Sequence, residues 1–196
     1  ATDLGEDRVY AYRCEPGSQA FPLRSAEPPF TVVAPGAGPR HLAFSQDGRF
    51  AYLIEEMGEA VVAFKRDAAR LEPIQTVRVA DEPWPGDTGA AALHFSPNGK
   101  FLYASNRANA NELAIYSVDA QAGTLTPVGH QASLGKKPRD FCIDPTGRFL
   151  LVANQDSDNV VIFRRDLQTG TLTPTGKSVE VGSPVCVQMV PAVEHP

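Results

Sequence analysis

Apolar and polar positions alternate along most of the chain in short runs, and the runs recur. Pro39-Arg-His-Leu-Ala-Phe-Ser-Gln-Asp-Gly-Arg-Phe-Ala-Tyr-Leu, Ala90-Ala-Ala-Leu-His-Phe-Ser-Pro-Asn-Gly-Lys-Phe-Leu-Tyr-Ala and Pro138-Arg-Asp-Phe-Cys-Ile-Asp-Pro-Thr-Gly-Arg-Phe-Leu-Leu-Val align position for position. Their glycines stand at 48, 99 and 147, spacings of 51 and 48. A fourth start, Ser183-Pro-Val-Cys-Val-Gln-Met-Val, places Pro184 46 residues after Pro138. Each copy predicts a strand, a tight turn and a second strand, because glycine takes the positive φ of a hairpin turn without steric cost.

Ala60-Val-Val-Ala-Phe, Leu113-Ala-Ile-Tyr-Ser-Val and Val160-Val-Ile-Phe then predict a third strand in each copy. Residues 71–79, 125–131 and 172–179 predict a fourth. Four strands within 46 to 51 residues is the period of a β-propeller blade, and no helix-period patterning competes with it. The expected fold is all-β, with blades of four antiparallel strands. Residues 1–37 read as a partial blade in which Arg8-Val-Tyr-Ala-Tyr is the third strand. Residues 38–89, 90–136 and 137–182 read as whole blades, and 183–196 as the first strand of a closing one. Propellers close with about four to eight blades. The chain is therefore expected to be an incomplete, C-terminal portion of a longer propeller; a four-bladed ring would require the two partial blades to merge.

Composition narrows the function. Sixteen glycines and 17 prolines among 196 residues fit a turn-rich β protein. A formal charge of −5 argues against a nucleic-acid partner, which would call for a basic stripe. The longest apolar runs, such as residues 149–153, fall far short of the ~20 residues of a membrane span, so no membrane partner is expected. No signal-peptide pattern opens the sequence, and a cytoplasmic location is expected. Cys14, Cys142 and Cys186 are odd in number and lack CxxC spacing, which suggests neither a disulfide framework nor a metal site. Cys142 and Cys186 read as small core residues. Phosphate-loop, dinucleotide, zinc-protease and serine-hydrolase motifs are absent, and no cofactor is expected.

The start of strand one and the end of strand two of a blade share one propeller face, and polar residues collect at both places. Strand-one starts supply Arg40 and His41, then Arg139 and Asp140. Seven and eight residues past each turn glycine stand Glu55 and Glu56, Asn106 and Arg107, Asn154 and Gln155, with Asp3 equivalent in the partial blade. His94 falls inside a strand, at a position matched by Ala43, Cys142 and Gln188, and is expected beside the channel. Trp84 falls in a long loop that either lines this mouth or caps a blade boundary. Each of these polar residues has a structural reading as a tie between blades. Together they form the ring-shaped polar mouth at which propellers bind ligands.

Gly38-Pro-Arg-His-Leu-Ala-Phe-Ser-Gln-Asp-Gly-Arg-Phe-Ala-Tyr, Phe101-Leu-Tyr-Ala-Ser-Asn-Arg and Lys137-Pro-Arg-Asp-Phe-Cys-Ile-Asp-Pro-Thr-Gly resemble the seven-bladed propeller lactonases. That family includes bacterial 6-phosphogluconolactonases and the related fungal carboxy-muconate cyclases. The likeness runs over nearly the whole chain, which would cover about the last half of such a protein. One departure is Glu55-Glu56 where the family commonly has Asn-Glu.

The resemblance implies hydrolysis of a sugar δ-lactone, with 6-phosphogluconolactone of the pentose phosphate pathway as one substrate. Ring opening needs an activated water and a stabilised oxyanion. His41, His94 and Glu56 are the catalytic candidates, with the general base left open among the three. Arg40, Arg107, Arg139 and Gln155 are the substrate-binding candidates, the arginines through bidentate contacts to a phosphate, carboxylate or oxyanion. A non-catalytic propeller that binds a sugar or protein on the same face is one alternative; a muconate-lactone cyclase or isomerase is another. An open set of blades also leaves Val185, Val187 and Met189 facing a missing neighbour. The chain is therefore expected to pair with the missing half of its propeller or with itself.

Overall fold

A computed structural model of the chain describes residues 1–17, 21–80, 89–107 and 110–190. Its described residues form four antiparallel sheets. β1 (Thr2–Asp3), β2 (Arg8–Cys14) and β3 (Leu23–Val32) make a three-stranded sheet. β4 (Pro39–Phe44), β5 (Phe50–Glu55), β6 (Ala60–Asp67) and β7 (Arg70–Arg78) make the second sheet. β8 (Ala90–Phe95), β9 (Phe101–Asn106), β10 (Glu112–Val118) and β11 (Leu125–Ala132) make the third. β12 (Pro138–Ile143), β13 (Phe149–Asn154), β14 (Asn159–Arg165) and β15 (Leu172–Glu180) make the fourth. In every sheet each strand pairs with the next in sequence, the meander of a propeller blade.

The same hairpin is built three times. Gly48, Gly99 and Gly147 sit at φ +69°, +68° and +70°, and their amides donate to Ser45, Ser96 and Asp144 carbonyls. The side chains of those three residues accept the amides of Phe50, Phe101 and Phe149 at 3.0, 3.0 and 2.7 Å. The strand ends also repeat: Asp3 pairs with Arg8 as Glu55 does with Ala60, Asn106 with Glu112 and Asn154 with Asn159.

The inner strands of the second and third sheets are apolar on both faces because each of those sheets is packed between two others. Ala51 and Leu53 of β5, with Val62 and Phe64 of β6, pack toward Val9 of the first sheet. Phe50, Tyr52 and Ile54 turn the other way and meet Leu93, Leu102 and Tyr116 of the third sheet. Phe101, Tyr103 and Ile115 in turn meet Phe141, Leu150 and Phe163 of the fourth. Outer strands such as β15 are mostly exposed.

The blade boundaries share one construction. Gly123 lies against the Phe50 ring so closely that an added Cβ would come within 2.2 Å of it, and Gly170 stands to Phe101 likewise at 2.4 Å. The Tyr52 hydroxyl donates to Gly123 O at 2.9 Å and Tyr103 to Gly170 O at 2.6 Å. Buried Arg165 donates to the Tyr103 hydroxyl at 2.6 Å and to Gly147 O at 3.0 Å.

β4, β8 and β12 lie side by side, so the first strands share one inner edge. Residues 183–190 form no strand; the Ser183 amide donates to Asp158 Oδ1 at 2.7 Å and that of Val187 to Asp140 Oδ2 at 3.0 Å. Among the described residues no helix is long and apolar enough to cross a membrane.

Candidate active site

One backbone bond per blade sets the mouth. The amides of Glu56, Arg107 and Gln155 donate to Gly38 O, Gly89 O and Lys137 O at 2.8, 2.8 and 3.0 Å. Each bond lies one residue past the end of strand two and clamps it beside the start of strand one. The residue before it in each blade, Glu55, Asn106 or Asn154, is buried between blades instead. Polar pairs that look equivalent in sequence therefore split into one inward and one mouth residue.

Glu56 bridges two guanidinium groups. Its Oε2 lies 3.0 Å from Arg40 Nε and its Oε1 2.7 Å from Arg107 Nη2. Arg40 Nη1 donates to Ala91 O of the next blade at 2.6 Å, and Arg107 Nε to Gly89 O at 3.3 Å. The three side chains are only 15–25% exposed, so solvent screens these pairs weakly. Burial lowers the pKa of Arg40, and the neighbouring charges of Arg107 and Arg139 act in the same direction. Three arginines against Glu56 and Asp140 leave this region one charge positive, which suits an anionic ligand or a developing oxyanion.

The two histidines stand beside this cluster. His41 Nε2 lies 2.9 Å from Arg40 Nη1, and the His41 and His94 rings are 6.4 Å apart at 74°. Burial, with Arg40 and His94 adding repulsion, lowers the His41 pKa to about 4. His94 reaches to the next blade, with Nε2 3.1 Å from Asp140 Oδ1 and its ring edge-on to Phe141 at 4.9 Å. Burial pushes the Asp140 carboxyl up, but the bonds from His94 and the Val187 amide outweigh it and hold the group below its ordinary value.

Of the residues singled out from sequence, Arg40, His41, Glu56, Arg107 and His94 are thus joined by direct contacts. Arg139 is close enough to repel Arg40 and His41, and its side chain makes no hydrogen bond or ion pair among the described residues. Gln155 holds the equivalent mouth position on the fourth sheet, at the start of a short 3₁₀ turn (Gln155–Ser157), without touching the cluster. Sequence reasoning placed Asp140 at the mouth but missed its pairing with His94, which joins different blades. Trp84 lies outside the described residues. Cys142 is half-buried and Cys186, expected in the core, is exposed. Cys186 is in register with His41 and Asp140 in the sequence, and its thiol is hydrogen-bonded with the Asp140 carboxyl. Among the described residues no group of three or more His, Cys, Asp or Glu could hold a metal ion.

The family model described as "Lactonase, 7-bladed beta-propeller" matches residues 1–189. The chain belongs to the seven-bladed β-propeller lactonases. A 6-phosphogluconolactonase of Formosa agariphila is 38% identical over 161 residues, covering 81% of this chain and 45% of the relative. That of Bacillus subtilis is 35% identical over 198 residues, covering 97% and 53%. The structure of the periplasmic gluconolactonase of Pseudomonas aeruginosa superposes with a TM-score of 0.91 at 45% identity, over 95% of this chain and 52% of that one. The chain spans about half the length of the curated relatives it matches.

Proposed function

We propose that the protein hydrolyses a sugar δ-lactone, gluconolactone or its 6-phosphate ester, at the central mouth of a seven-bladed ring to which these residues contribute about half. The observation that carries this reading is the Arg40–Glu56–Arg107 bridge with His41 and His94 at its side. It joins positive charge, a carboxylate and two imidazoles in one partly shielded place, the equipment for activating water and stabilising an oxyanion. His41, Glu56 and His94 take the catalytic roles. Arg40, Arg107, Arg139 and Gln155 bind the substrate, with Arg139 the arginine free to meet a phosphate or carboxylate. No cofactor takes part. The names of the relatives, 6-phosphogluconolactonase and gluconolactonase, support the substrate class. The cytoplasmic location belongs to the same reading, and cell fractionation tests it, since one similar enzyme is periplasmic by name.

The test is proton release by the complete protein with glucono-1,5-lactone, its 6-phosphate ester and a muconolactone. Hydrolysis of either sugar lactone well above the spontaneous rate is expected. Turnover of the muconolactone alone would replace the reading with a cyclase or isomerase. Binding without turnover of any of the three would leave a non-catalytic propeller.

A further inference from the structure

We infer that the two histidines divide the proton work, with His94 as the general base positioned by Asp140 and His41 as a fixed hydrogen-bond donor to the oxyanion. The inference rests on the lactonase reading and deepens it. The hydrogen-bond inventory of the side chains decides the tautomers. A guanidinium has donors and no acceptor. The 2.9 Å contact between Arg40 Nη1 and His41 Nε2 therefore makes Nε2 the acceptor, and the proton of a neutral His41 sits on Nδ1. Arg40 cannot swing away easily, because Glu56 Oε2 and Ala91 O hold the same guanidinium. His41 has no lone pair left with which to take a proton from water. Burial and the surrounding cations, which put its pKa at about 4, keep it neutral near pH 7.

His94 is arranged the opposite way. Asp140 accepts the Val187 amide on Oδ2, as an ionised carboxylate does, and its Oδ1 lies 3.1 Å from His94 Nε2. Nε2 of His94 then carries the proton, and its Nδ1 is left as a lone pair. The ring is 43% exposed, so water can reach it. A carboxylate that fixes the tautomer of a base and stabilises the imidazolium formed is a recurrent catalytic arrangement. The charged and titratable groups around the two rings are Arg40 on β4, beside His41, and Arg139 and Asp140 on β12, across from His94 on β8. The two rings stand side by side with centroids 6.4 Å apart, close enough for one lactone carbonyl at the mouth to face both.

The step balances. His94 Nδ1 takes a proton from water as the water oxygen bonds to the lactone carbonyl carbon. The carbonyl electron pair moves to oxygen, where the His41 Nδ1–H and the arginines meet it. The oxyanion collapses, the ring C–O bond breaks, and the His94 proton passes to the departing ring oxygen. The hydroxy acid then loses its carboxyl proton to solvent.

Nitrogen-detected NMR of the imidazoles in the complete wild-type protein near pH 7 reads the tautomers directly. His41 protonated on Nδ1 and His94 on Nε2 is expected; His41 protonated on Nε2 would overturn the inference whatever the enzyme hydrolyses. Kinetics supplies the second arm. His94→Gln is expected to lower kcat by about 100-fold or more, the usual scale for losing a general base. His41→Asn keeps a donor and should retain several-fold more activity than His41→Ala. Asp140→Asn should lower kcat with KM little changed, because the contact positions the base for the chemical step rather than binding substrate. His41→Asn as damaging as His41→Ala, together with an active His94→Gln, would reverse the roles. A wild type that turns over no lactone overturns the lactonase reading and the catalytic roles, and leaves the tautomers to the spectra.

Discussion

Glu56 and Arg107 face each other across a blade boundary, Oε1 to Nη2 2.7 Å, from equivalent positions past the second strands of neighbouring sheets. Arg40 closes on the other carboxylate oxygen at 3.0 Å. One carboxylate therefore bridges two cations and ties the second blade to the third.

Glu56→Gln should destabilise the fold as well as the site, because Arg40 and Arg107 would repel each other in a partly shielded place. With these side chains 15–25% exposed, the cost should be about 2 kcal/mol, between the values for surface and buried pairs. Denaturant unfolding checks it. Adding Arg107→Gln should recover part of the loss, since the two sites are coupled. Strictly additive losses would contradict the bridge.

Much of this was legible in the sequence, for a physical reason: the blade repeats, so Gly48, Gly99 and Gly147 mark three copies of one hairpin. Counting from those glycines gives Glu56 and Arg107 equivalent positions, and the structure joins them in an ion pair. Strand alternation does not distinguish Glu55 from Glu56, because the chain turns out of the ladder between them; the backbone bond from Glu56 to Gly38 sends one side chain inward and one outward. The His94–Asp140 pair was hidden because its partners are 46 residues apart and meet only when two blades pack. The exposure of Cys186 was hidden for a similar reason, since apolar residues alternating around it read as a buried strand.

Gly170→Ala should be strongly destabilising. The position has φ +76°, and an added Cβ would lie 2.4 Å from the Phe101 ring. Gly176 has nearly the same φ, +73°, with nothing within 4 Å. We expect about 1 kcal/mol for Gly176→Ala from the backbone alone. For Gly170→Ala we expect about 3 kcal/mol, because the ring must also move. Equal losses in thermal or denaturant unfolding would show that the ring contact contributes nothing.

Stability should fall as the pH drops from about 6.5 to 4. His41 has its pKa lowered to about 4 in the fold and an ordinary imidazole value when unfolded. The unfolded chain binds more protons in that window, so acidification favours unfolding, by about 2 kcal/mol after allowing for partial exposure. Asp140, also lowered in the fold, adds stability that is present above the ordinary aspartate range and lost only at lower pH. His41→Gln should flatten the window between 6.5 and 4. An unchanged slope in unfolding titrations would place the effect elsewhere.

The 196-residue chain alone should associate. Leu151, Ile162 and Phe149 of the fourth sheet line a groove with Met189, and Leu151 holds the position where Tyr52 and Tyr103 bond the next blade. Sedimentation velocity at low micromolar concentration should show species larger than a monomer, reduced by Leu151→Lys with Ile162→Lys. A monodisperse monomer that melts cooperatively at high temperature would contradict this.

The central claim is that the mouth residues perform lactone hydrolysis, and Arg40→Ala in the complete protein tests it most directly. Arg40 touches Glu56, His41 and the next blade, so its loss should disarm the cluster while the three-blade core stays intact. The measurement is kcat/KM for glucono-1,5-lactone or its 6-phosphate ester, with circular dichroism to confirm the fold. The account predicts a fall of at least about tenfold with an unchanged spectrum, the scale of a lost electrostatic group. Near-normal kcat/KM in a folded Arg40→Ala protein would contradict it.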